Sequence, residues 1–238
     1  MSEGTESIRI RRTPESDRSQ VLILEKRTKI SEGDGMATGG IYQAEGQIQG
    51  DWRRRRVPIV IKAYKHNAHD LFPGIASTHR AARHDKLRVP RTVRYNVEHG
   101  IVVLTDFNSQ GHIALSYNNP SELVAENSLT TIPGFETVIK EVFAQAAFAA
   151  SKNYAVLADC YFILIPSKEG ETADFVIGDL ENLIKRDGED PAGLSLAYYN
   201  LDAAKRFLDG FCKKWLTENS LKMYENLIDE AWKDARNK

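Results

Sequence analysis

The stretch Phe175-Val176-Ile177-Gly178-Asp179-Leu180-Glu181-Asn182 constrains this chain most, because it sets one carboxylate at the exit of an apolar strand. A strand end holds a side chain with little positional freedom, and an Asp there suits a divalent cation that bridges phosphates. Well over a hundred residues earlier, Val57-Pro58-Ile59-Val60-Ile61-Lys62 is a second apolar run, and it ends in a cation. Alternation puts Ile59, Ile61 and Ala63 on one face of that strand and Val60, Lys62 and Tyr64 on the other.

Length allows one large domain or two lobes, since 238 residues can bury a sizeable core. Charged residues make up 27% of the chain and the net charge is -1, so no global field draws it to nucleic acid or membrane. The run Arg53-Arg54-Arg55-Arg56 has no interleaved aromatics beyond Trp52 and reads as a solvated basic turn, so no nucleic-acid site is assigned. Cys160 and Cys212 form no ligand pattern, and no run approaches a membrane span. The expectation is a reduced, cytoplasmic protein without a transmembrane segment.

Residues 1–18 are polar and charged and read as a flexible tail. Gln20 to Leu24 is a first strand and Ile41 to Ala44 a return strand, joined by a loop that carries Gly33, Gly35, Gly39 and Gly40. Backbone amides at such a tip can approach phosphate oxygens. From Asp70 to Lys86 a helix is predicted, with His79 and His84 read as surface residues, as are His66 and His69 before it. Val89 to Val97 and Gly100 to Phe107 are two strands, the second nearly all apolar. Helical spacing then predicts a buried helix over 134–152 and two more over 194–216 and 220–236. Between them, 154–165 and 175–179 are short strands around a polar loop.

Taken together, Lys62, Asp179 and the Gly33/Gly35 loop resemble the lysine, metal aspartate and glycine loop of the protein-kinase-like superfamily, in particular its compact bacterial lipopolysaccharide-core and sugar-kinase branch. The resemblance implies an α+β, two-lobed fold: an antiparallel β-sheet N-lobe over 19–108 and a small, mostly helical C-lobe over 109–238. It implies ATP and Mg²⁺ as cofactors. Gly33 and Gly35 would approach the phosphates, Lys62 would neutralise them, Thr105 would lie where the adenine is held, Asp179 would hold the metal, and Asp159 would serve an acceptor hydroxyl. Glu181 or Asn182 would add a second metal contact.

Several positions depart from the family pattern. Thr38 stands for the third glycine, no Glu lies between Glu45 and Glu98 to pair with the lysine, and Leu157 and Phe162 fall where the catalytic Asp and metal-binding Asn belong. Two functions follow as expectations. One is a phosphotransferase acting on a hydroxyl acceptor, and the other is an inactive pseudokinase serving as a nucleotide-binding or protein-interaction module.

Overall fold

In the computed structural model the described residues are 6–31, 38–49, 56–65, 70–91, 93–107, 111–118, 124–186 and 195–237. They fall into two compact units, residues 1–77 with 90–109 and residues 78–89 with 110–238.

The first unit is built on β1 (Glu6–Arg11), β2 (Ser19–Ser31), β3 (Thr38–Ile48), β4 (Val57–Tyr64), β5 (Val93–Asn96) and β6 (Ile101–Thr105). These six strands form a closed antiparallel barrel in the order β1-β2-β3-β4-β6-β5. The expected kinase-like architecture, with an antiparallel sheet as its N-lobe, is thereby corrected. The physical reason lies in β1, where Ile8 and Ile10, spaced by two, present one apolar face. Six residues of β1 pair with β2, and Arg11 reaches Tyr95 of β5 to complete the ring. The reading of 1–18 as a tail fails at the same place. Its charged composition hid two core residues, 7% and 1% exposed.

Alternation fills the barrel. Ile8, Ile10, Leu22, Leu24, Ala44, Ile59, Ile61, Ile101 and Val103 form one buried cluster, to which β1, β2, β4 and β6 each contribute two alternate residues. Closure needs strong local bending, and β2 supplies it with register shifts between Glu25 and Thr28 and between Lys29 and Ser31. Lys26, inside the first shift, takes a left-handed φ of 54°. Gly46 is the tightest point of the lumen, since a Cβ there would lie 2.8 Å from Ile59 Cδ1 and 3.1 Å from Leu22 Cδ1.

Helix α1 (Phe72–His84) follows β4 and contains the boundary between the units. Pro73 sits in its first turn, where a missing N–H costs nothing, and Arg83 and His84 suit its C-terminal end. His79, expected at the surface, is buried at 7% exposure.

The second unit holds β7 (His112–Leu115), α2 (Phe135–Ser151), β8 (Tyr154–Val156), β9 (Tyr161–Pro166), β10 (Asp174–Ile177), β11 (Leu183–Lys185), α3 (Leu196–Trp215) and α4 (Glu218–Arg236). The strands make a three-stranded sheet, β10-β9-β7, and a two-stranded one, β11-β8. Apolar residues at helical spacing put Phe135, Val138, Ile139, Val142, Phe143 and Ala146 of α2 in the core. There α2 meets α3 and α4 through Phe135, whose ring lies 5.6 Å from Phe211 and 5.0 Å from Tyr224.

One buried polar side chain ties these elements together. Asn200 of α3, fully buried, accepts from Val156 N at 3.0 Å and donates to Tyr154 O at 2.7 Å and Ala146 O at 3.1 Å. Its amide thus bonds one N–H and one C=O of β8 and a carbonyl near the end of α2.

Two stability outcomes follow. Asn200→Ala strands two buried backbone groups of β8 and is expected to lower unfolding free energy by about 3 kcal/mol in urea denaturation. Gly46→Ala is expected to cost about 1–3 kcal/mol by overpacking the lumen, read from the same experiment.

Candidate functional site

Two aspartates expected to carry chemistry come from neighbouring turns of the second unit. Asp159 lies in a 3₁₀ turn, Ala158–Cys160, between β8 and β9, and Asp179 precedes a second such turn, Leu180–Asn182, between β10 and β11. The two turns interrupt one antiparallel pairing that continues on both sides of them. Val156 pairs with Leu183, Leu157 N donates to Asn182 O at 3.3 Å, and Tyr161 pairs with Ile177. Between these anchors the Cys160 carbonyl accepts from Gly178 N at 2.7 Å and Asp179 N at 3.3 Å. The backbone therefore fixes the residue after Asp159 directly against Asp179.

Each carboxylate is also oriented by side chains. Asp159 Oδ1 accepts from the Tyr117 hydroxyl and, at 2.8 Å, from Asn118 Nδ2. Asn182 gives its amide N–H to Asp179 Oδ2 at 3.1 Å. Asn182, expected as a further metal contact, thus presents a donor that steers the Asp179 carboxylate. Glu181 has intermediate exposure.

Helix α3 is the base for Tyr117. The indole Nε1 of buried Trp215 donates to Ser116 O at 3.1 Å, and Lys214 Nζ donates to Tyr117 O at 3.2 Å. One turn back, Gly210 opens the helix surface to the phenol ring: a Cβ there would stand 3.0 Å from Tyr117 Cδ2. A glycine inside a helix costs roughly 0.5–1 kcal/mol relative to Ala, so its presence is explained by this close approach. Phe207 meets the same ring edge-on at 6.2 Å and stacks on Tyr161 at 5.2 Å.

Sequence reasoning missed Tyr117 and Asn118. They belong to a polar stretch, 110–133, whose spacing to Asp159 has no periodic signature. The interior glycine of α3 was the one local sign that something packs there.

The remaining predicted residues divide as follows. Lys62 belongs to the barrel unit, half-buried on β4 between Ile41 and Val102 and on the face opposite Ile59 and Ile61. Its Nζ lies 6.0 Å from the Tyr64 ring centroid. Thr105 ends β6 opposite Ile59 and is half-buried, and the next residue, Asp106, is buried and receives the Gln43 amide. Gly33 and Gly35 lie outside the described residues, as do His66, His69 and Arg53 to Arg55. Arg56 forms an ion pair with Glu25 at 2.7 Å.

Among the described residues no group of three or more His, Cys, Asp and Glu side chains is placed to hold a metal ion, and no helix is long and apolar enough to cross a membrane. Mg²⁺ asks less of a protein than a caged metal does, since one or two carboxylates usually share it with substrate phosphates and water. Asp159 and Asp179 meet that smaller requirement in type and in backbone proximity. Neither a protein-family model nor a curated protein sequence matches the chain.

Burial first, and then the hydrogen bond to Asp159, raise the Tyr117 phenol above its ordinary value. The folded state keeps this proton to higher pH than the unfolded chain does. The associated stability is therefore complete below about pH 10 and is lost as pH rises beyond it. Tyr117→Phe is expected to lose about 1 kcal/mol at neutral pH. The gap between wild type and variant in denaturant titrations should shrink as the pH is raised above that range, and a gap independent of pH would contradict the assignment.

Proposed function

We propose that the protein is a Mg²⁺-dependent phosphotransferase that acts from a nucleotide onto a hydroxyl acceptor, with Asp179 as the metal-holding group and Asp159 as the group that receives the acceptor's proton. The observation that supports this most is the shared clamp at Cys160 O, which holds the two aspartate turns against each other. Bound Mg²⁺ would supply charge neutralisation on the phosphates. The chain's own residues do the positioning. Tyr117 and Asn118 fix Asp159 through Oδ1, and among the described residues no hydrogen bond is made to Oδ2, which suits it to accept from a hydroxyl. Asn182 fixes Asp179 in the same manner. Lys62, Gly33, Gly35 and Thr105 enter this reading from the sequence resemblance alone, as contacts to the nucleotide.

A second reading is favoured by a specific observation. Leu157, at the position the resemblance gives to a catalytic Asp, is half-buried beside the clamp, and among the described residues no group of three or more His, Cys, Asp and Glu side chains is placed to hold a metal ion. On this reading the same turns bind a nucleotide or a protein partner without transfer.

Thermal unfolding with ATP, with and without Mg²⁺, separates the readings, since a ligand that binds only the folded state raises Tm. A Mg²⁺-dependent rise that is lost in Asp179→Asn is expected under both. Release of ADP in the presence of polyol acceptors, abolished by Asp159→Asn while the rise in Tm persists, is expected under the first alone. Lys62→Ala is measured separately for its effect on ATP affinity. No shift at saturating nucleotide would overturn both nucleotide readings.

A further inference from the structure

Charge and burial also gather within the barrel unit itself. On β1 the lumen takes Ile8 and Ile10, so the intervening Arg9 and Arg11 share the outer face. Ser19 of β2 stands opposite Arg11, and across the closing seam Arg11 stands opposite Tyr95 of β5. These side chains line a small cavity with Asn96, Val97 and Glu98, the end of β5 and the start of its turn.

Three features of the lining bear on a ligand. Arg9 is exposed and makes no ion pair or hydrogen bond among the described residues. Arg11 is half-buried, held by Pro14 O at 3.5 Å and by Glu98 Oε1 at 3.6 Å, a contact too long for a strong pair. Asn96 is only 3% exposed, and its Oδ1 accepts from His99 N at 2.9 Å. Its amide N–H groups make no hydrogen bond among the described residues, and the side chain lines the cavity.

We propose that this cavity binds a phosphate group, with the Arg9 and Arg11 guanidinium groups, the Ser19 hydroxyl and the Asn96 amide as donors. Every one of them can donate, and guanidinium forks match phosphate oxygens bidentately. Glu98, whose carboxylate lies 3.6 Å from the Arg11 guanidinium, is the intramolecular competitor for that donor. The site is independent of the Asp159/Asp179 clamp, so it stands whether or not the protein transfers phosphate.

The test is calorimetric titration of the full chain with inorganic phosphate against chloride at matched ionic strength, beside Arg9→Gln, Asn96→Asp and Glu98→Gln. Asn96→Asp keeps the acceptor for His99 N and removes the donors, and Arg9→Gln alters an exposed residue, so neither depends on a change of fold. Each is expected to weaken phosphate by about tenfold or more. Glu98→Gln is expected to tighten it severalfold by releasing the Arg11 guanidinium. Phenyl phosphate distinguishes the source. Equal affinity for both ligands indicates the free anion, and tighter monoester binding indicates a phosphate carried on a larger molecule. Heats no greater than those of chloride would overturn the proposal, as would phosphate binding unchanged in Arg9→Gln and Asn96→Asp. Binding of single-stranded nucleic acid without binding of inorganic phosphate would also overturn it.

Discussion

The second unit depends on the amide of Asn200. An apolar side chain at that point of α3 would bury as readily, but it would leave an N–H and a C=O of β8 without partners in a dry interior. Because the amide supplies one acceptor and two donors, β8 is locked to α3 and to the end of α2 at a single register. The turn carrying Asp159 begins two residues beyond that lock. Its position is therefore set by α3 twice, through Asn200 beneath β8 and through Trp215, Gly210 and Phe207 beneath Tyr117.

The same logic explains the clamp at Cys160. A short 3₁₀ turn by itself is a weak element, because few residues share its hydrogen bonds. Here two such turns lie within one antiparallel pairing, and each is anchored at both ends by strand residues. Cys160 O, with two N–H donors, closes the space between them. The resulting pair of turns is held by backbone, which is stiffer than side-chain contact, and side-chain donors then choose the carboxylate rotamers.

Much of the helical unit was legible in the sequence, since α2, α3 and α4 carry long apolar stripes with the 3.6 period and their limits fell within a few residues of those expected. The strands around Ile61, Val103 and Phe175 were legible from apolar runs. Three things were not. Ile8 and Ile10 sit among charges, and two apolar residues are too few to reveal a strand that has barrel neighbours on both sides. Closure of the sheet depends on the bulges of β2 and on a single pairing of Arg11 with Tyr95, both properties of register. Tyr117 and Asn118 act 42 and 41 residues from Asp159 in the chain, and no local spacing records such contacts.

By itself the sequence determined which residues could enter a core and where carboxylates follow apolar strands, because alternation and helical period are written in neighbouring residues. Asp159, Asp179 and Lys62 were named on that basis. Only the tertiary structure decided that β1 completes a barrel in place of an open sheet. It also decided that the two aspartate turns meet at one carbonyl, and that Arg9 and Arg11 share a face with a buried amide. Each is a relation between segments far apart in the chain, fixed by hydrogen-bond register and packing, and chain-local patterns carry no record of it.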